Sequence, residues 1–282
     1  MRPRCVRSGR SAGAGCYVPA PPGRARGSLS RFQAQDGVEI HYEEWGSETS
    51  ARPLVLLHHG FMADARLNWL HSGVVEALVR AGRRVAAPDA RGHGRSGKPH
   101  DPALYGEPTM ARDLLHLADR LEAASFDLVG YSMGAIVCLL AASQDVRVRR
   151  LVVGGVGAGV VELGGVDTRT LPNLELAAAL EAEDPAAISH PAAAQFRAFA
   201  DAVGADRKAL AAQARAVHAS KIPLDRIQAP TLILAGDVDP LAARPEVLLQ
   251  SLRDARLQHL SGDHMRALAD PRLVPAIVGF LD

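Results

Sequence analysis

Cysteine is scarce in this chain: Cys5, Cys16 and Cys138 are the only three in 282 residues. Three widely spaced cysteines cannot build a disulfide framework, and no histidine–carboxylate spacing reads as a metal site, so neither metal nor cofactor is expected. Cys138 sits inside an apolar helical run and reads as a small core residue. Long apolar runs are also missing, since none approaches the roughly 20 residues that cross a bilayer. No membrane association follows. Net charge is nearly absent at +1, but it is unevenly spread: residues 1–31 hold seven arginines and no acid, which leaves −6 for residues 32–282. A mildly acidic body offers nucleic acid no basic surface.

What the chain does have is apolar content, 48% against 22% charged residues, enough for a sizeable soluble core. Residues 1–28 stand apart, rich in Arg, Gly, Pro and Ser. They lack the continuous apolar centre of a secretory signal. Their acid-free, Arg-rich character resembles an organellar transit peptide, but Pro19, Pro21, Pro22 and the glycines break an amphipathic helix. The expectation is a disordered extension, or a start codon set too far upstream, and a cytoplasmic protein. The remaining residues, 29–282, are expected to form one domain.

Strand-like runs at 29–34 and 38–45 flank Gln35-Asp36-Gly37, an Asp-Gly hairpin signal. Continuous apolar runs follow at 53–58, 84–88, 126–129, 150–154 and 230–235, with a last strand at 256–260. Such runs suit strands buried on both faces. Helical spacing fills the gaps at 73–82, 107–124, 135–142, 244–253 and 265–281. Strict alternation of the two predicts an α/β fold, a mostly parallel sheet with helices on both faces. Alternation fails between β-like 150–154 and 230–235, where alanine-rich helices at 172–183, 185–203 and 205–219 predict a small helical cap, about 157–221.

One pentapeptide, Gly130-Tyr131-Ser132-Met133-Gly134, lies between a strand and a helix. That is G-x-S-x-G in the context where it forms a nucleophile elbow, although a serine capping a helix between two glycines needs no chemistry. A serine nucleophile requires a base, and the base requires a carboxylate to fix its tautomer. Both should leave the carboxyl ends of strands in the same sheet. His264, in the loop after the last strand, is the base of choice. His259 lies within that strand and should face a helix or the core. Asp237 and Asp239 both follow the strand at 230–235, and either can serve. The oxyanion would be held by the backbone N–H of Met133 and by that of Phe61, in the loop His58-His59-Gly60-Phe61. Gly92-x-Gly94-x-x-Gly97 matches the dinucleotide fingerprint, but Lys98-Pro99-His100-Asp101-Pro102 cannot open the helix that the fingerprint needs.

Five segments resemble the α/β-hydrolase family in order and spacing: His59-Gly60-Phe61, Asp89-x-Arg91-Gly92-His93-Gly94-Arg95-Ser96, Gly130 to Gly134, the 230–239 strand and loop ending at Asp239, and Gly262-x-His264. The closest resemblance is to its small esterase, lactonase and cofactor-free haloperoxidase branch. Epoxide hydrolases and haloalkane dehalogenases use an aspartate where this chain has Ser132. The resemblance implies the α/β-hydrolase fold, a Ser132–Asp239–His264 triad with Asp239 as the acid, and a small-molecule ester or lactone substrate. It also leaves room for C–C bond hydrolysis, perhydrolysis, or a triad-retaining small-molecule receptor. Met62, Trp69, Leu163, Phe196, Phe199, Leu241 and Met265 are the expected pocket residues.

Overall fold

Leu54 and Leu56 turn to one face of a strand while Val55 and Leu57 turn to the other, and each set is fully enclosed in its own core. This two-residue period, repeated across the sheet, builds the two apolar layers of the fold. The computed structural model describes residues 27–282. The expected extension, residues 1–28, lies outside the described residues except for Gly27 and Ser28, and Ser28 already begins a strand.

Eight strands form one sheet: β1 (Ser28–Gln33), β2 (Glu39–Trp45), β3 (Leu54–His58), β4 (Val85–Pro88), β5 (Phe126–Tyr131), β6 (Val148–Gly154), β7 (Thr231–Gly236) and β8 (Ala255–Leu260). Their order is β1-β2-β4-β3-β5-β6-β7-β8. The β1–β2 hairpin turns at Gly37, whose φ of +84° suits the expected Asp-Gly turn. Those two strands run antiparallel, and every pairing from β4 to β8 is parallel. On one face lie α2 (Glu107–Arg120), α3 (Met133–Ala142) and Leu248 of α8 (Pro245–Ser251); on the other lie α1 (Val74–Arg80) and α9 (Leu273–Leu281). Among the described residues no helix is long and apolar enough to cross a membrane.

One buried charge at the centre of the sheet is answered by cations. Asp127 on β5 is wholly buried and takes hydrogen bonds from Arg83 and Arg149. Those two arginines also donate to the carbonyl of Leu281, and Arg150 donates to that of Phe280. Three cations thus close the carboxyl end of α9, where the helix dipole favours positive charge.

Between β6 and β7 run α4 (Ala158–Glu162), α5 (Asn173–Glu181), α6 (Pro191–Ala202) and α7 (Arg207–Arg215). α4 was not legible in a glycine-rich stretch. The expected 185–203 helix is split: Pro185–Ala187 is a single tight turn, and α6 starts afresh at Pro191, with the Nδ1 of His190 accepting the Ala193 N–H at 3.3 Å. Proline favours the first helical position, so the boundary has a local cause. The 265–281 run is likewise broken before Leu273, at Asp270-Pro271.

Where the chain returns from α7, its backbone is pinned to the sheet domain by Glu107. This carboxylate accepts the N–H of His218 at 2.7 Å, and burial pushes its pKa up from 4.5 to about 7. A carboxyl raised in the folded state binds its proton more tightly there than in the unfolded chain. Its contribution to stability is therefore full below pH 4.5 and is lost as pH rises through about 7. Gln in its place keeps the acceptor without the titration. The melting temperature of Glu107→Gln should gain on that of the wild type between about pH 5 and 7 and level off above that, and a constant difference across this range would refute the assignment.

Candidate active site

At the carboxyl end of β5 the chain reverses into α3 through Ser132, which holds φ +55° and ψ −119°. A left-handed backbone at a non-glycine residue costs on the order of 1–3 kcal/mol and persists only where the surroundings enforce it. Here they do. A Cβ at Gly130 would collide with the carbonyl of Gly134, and one at Gly134 would collide with the carbonyls of His58 and His59. Both glycines are therefore demanded by close backbone approach. The Ser132 N–H is taken by Gly154 O at 2.8 Å, while its side chain is left at the sheet edge with the residue 8% exposed. Among the described residues the hydroxyl has no hydrogen-bond partner.

β7 and β8 lie beyond β6 from this elbow, and the loops that follow them bring an acid and a base together. His264 Nδ1 lies 2.8 Å from Asp239 Oδ2. A carboxylate cannot donate, so Nδ1 carries a proton, which in the neutral imidazole leaves the lone pair on Nε2. Asp239 is completely buried, and its other oxygen accepts the Leu241 N–H at 2.9 Å. Asp237 is exposed, and its Oδ1 accepts the Gly262 N–H at 2.8 Å. The two aspartates that sequence left open thus differ in geometry: one faces the imidazole, the other pins the loop that carries it. His259 lies 3.8 Å from Glu246 of α8, so it faces a helix as the sequence suggested, with its side chain partly exposed.

The loop after β3 lies against the elbow, and a Cβ on Gly60 would stand 3.4 Å from that of Ser132. Two residues hold this loop: Asn68, which sequence reasoning missed, and His59, which it placed in the motif without a role. Asn68, on the single wide turn Arg66–Leu70, accepts the Gly60 N–H at 3.0 Å. The Nδ1 of His59 lies 2.7 Å from Gly60 O, and its Nε2 accepts the Ala90 N–H at 2.9 Å. His59 must be the neutral Nδ1–H form to make both bonds, and burial lowers its pKa in the same sense. The backbone N–H groups of Phe61 and Met133 have no acceptor among the described residues. Met133 opens α3, where the helix dipole adds positive potential.

Of the expected pocket residues, Met62, Phe196 and Phe199 come together with Phe61 in one cluster with α5, α6 and α7. Leu163 and Leu241 are half-buried, at the end of α4 and beside Asp239 respectively. Trp69 is a correction. It is 1% exposed and packs with Leu57, Val74 and α9 in the core between sheet and helices, because its turn presents it to the sheet. Met265 is 57% exposed, and faces solvent. A cavity of about 250 Å³ opens beside Met62, between the 92–98 loop and the α6–α7 turn, with Arg66, His93 and Val203 in its wall.

Comparison with known proteins follows the same lines. A family model described as the alpha/beta hydrolase fold matches residues 53–156. An epoxide hydrolase from Caballeronia sordidicola is 40% identical over 102 residues, 36% of this chain and 29% of that protein. The sn-1-specific diacylglycerol lipase ABHD11 of Danio rerio is 38% identical over 129 residues, 45% of this chain and 39% of that protein. The chain thus spans only 29% and 39% of the lengths of these two curated relatives. The solved structure of a hydrolase from Pseudomonas aeruginosa PA01 is similar throughout, with a TM-score of 0.72 at 29% identity, covering 90% of this chain and 98% of that one.

Proposed function

We propose that this chain, whose fold is that of the α/β hydrolases, is a serine hydrolase cleaving a carboxylic ester or lactone through an acyl-enzyme. The observation that carries the reading is the Asp239–His264 pair, 2.8 Å apart, at the strand ends beside a left-handed serine. Ser132 Oγ attacks the substrate carbonyl as His264 Nε2 takes its proton. The negative oxygen of the tetrahedral intermediate is held by the N–H groups of Phe61 and Met133. Collapse expels the alcohol, which receives that proton from His264, and leaves Ser132 acylated. Water then attacks the acyl group, its proton passing to His264, and the carboxylic acid departs as Ser132 Oγ is restored. Throughout, Asp239 stabilises the imidazolium without itself taking the proton. Epoxide hydrolases are among the relatives, but Ser132 stands where that branch uses an aspartate, which favours acyl chemistry.

The cluster of Phe61, Met62, Phe196 and Phe199 supports an apolar or aromatic substituent on the substrate. Labelling with a fluorophosphonate, followed by a panel of short p-nitrophenyl esters and lactones, tests the reading. One covalent label on Ser132 and multiple turnover of at least one ester or lactone are expected. A folded protein that neither labels nor turns over would refute it, and a single slow turnover with retained ligand would move it to the receptor class.

A further inference from the structure

We propose that Tyr131 is a positioning residue that ties the base to the strand carrying the nucleophile; the inference rests on the triad reading above and adds a residue to it. Tyr131 ends β5 and immediately precedes Ser132. Its phenol O–H donates to the backbone carbonyl of His264 at 2.7 Å, joining residues 133 positions apart in the chain. Its ring lies 5.2 Å from the imidazole, centroid to centroid, with the two planes tilted by 46°. Burial, reinforced by the carboxylates of Asp239 and Asp263, raises the phenol pKa, so the hydroxyl stays a donor.

Two glycines at the end of β6 leave the space in which this contact forms. A Cβ on Gly155, which holds φ +69°, would stand 2.9 Å from His264 Cε1 and from Tyr131 Cε1 alike. One on Gly154 would stand 2.7 Å from Tyr131 Cδ2. His264 lies in a loop, outside any helix or strand of regular pairing. Its position is therefore set by anchors. Asp239 holds the imidazole at its Nδ1 end, and Tyr131 holds the backbone of the same residue. The second anchor belongs to the neighbour of Ser132, so any displacement of β5 carries nucleophile and base together. A shift of about 1 Å between such groups can cost on the order of 100-fold in rate, which is the scale of effect this coupling guards against.

Tyr131→Phe removes the hydroxyl and keeps the ring. It is expected to lower kcat on p-nitrophenyl acetate about 10-fold with KM changed less than about twofold. Fluorophosphonate labelling should slow by the same factor. The His264 Nδ1–H proton resonance is expected to be sharp in the wild type and broadened in this variant. Gly155→Ala keeps the hydroxyl but drives a methyl into both rings, and should reproduce the kcat loss. Wild-type kcat, labelling rate and resonance in Tyr131→Phe would overturn the proposal. So would a loss shared equally by kcat, KM and melting temperature, which marks a packing role. Should the wild type neither label nor turn over, the hydrolase reading fails, while the resonance still decides whether Tyr131 holds His264.

Discussion

Ser132→Ala is expected to lower kcat on short esters by about six orders of magnitude while leaving the fold intact. Oγ makes no hydrogen bond among the described residues, and the turn is held by close backbone approach at Gly130 and Gly134 and by the bond from the Ser132 N–H to Gly154. Alanine has the same Cβ as serine and meets the same left-handed φ, so the strain is unchanged. What is lost is the bond-forming atom. The N–H groups of Phe61 and Met133 stay in place, and residual catalysis of about 10³- to 10⁴-fold over water is the expected remainder. The check is a p-nitrophenyl acetate assay beside a thermal melt. Activity within tenfold of wild type, in a variant with an unchanged melt, would remove Ser132 from the mechanism.

The sheet was legible because the parallel strands are short apolar runs that turn alternate residues to two cores, as at Leu54 to Leu57 and Leu232 to Leu234. Such runs announce themselves without context. The helical segment between β6 and β7 was less legible. Its alanines score well as helix everywhere, so only Pro191 and the capping His190 mark where one helix stops and the next begins. The site divides in the same way. Ser132 and His264 could be named because motif and strand end coincide, and Asp239 was one of two candidates on its loop. Asn68 and Tyr131 could not, since each acts through a hydrogen bond to the backbone of a distant loop. No spacing in the sequence encodes that. Trp69 was misread for a related reason: an aromatic near the oxyanion loop looks like pocket lining, but the direction of its turn is a tertiary fact.

The comparison of Asp239→Asn with Asp237→Asn carries the second large effect, and it turns on what each carboxylate accepts. An asparagine at 239 can still accept the Leu241 N–H through its carbonyl oxygen. Its amide NH₂ then faces His264 Nδ1, where the carboxylate oxygen stood. Two donors cannot face each other, so Nδ1 must give up its proton and Nε2 must carry one. The imidazole is left in the tautomer that cannot accept from Ser132, and the buried site offers no charge to stabilise an imidazolium. A loss of about 10⁴-fold in kcat is expected, with KM little changed. Asparagine at 237 keeps the one acceptor that position uses, toward the Gly262 N–H, and does so at an exposed site. Its stability should stay within about 0.5 kcal/mol of wild type and its kcat within about twofold. Steady-state kinetics of the two variants on one ester read the difference directly, and the reverse ranking would transfer the acid's role to Asp237. Equal and small losses would instead mean that His264 works unassisted, against the burial of Asp239 beneath it.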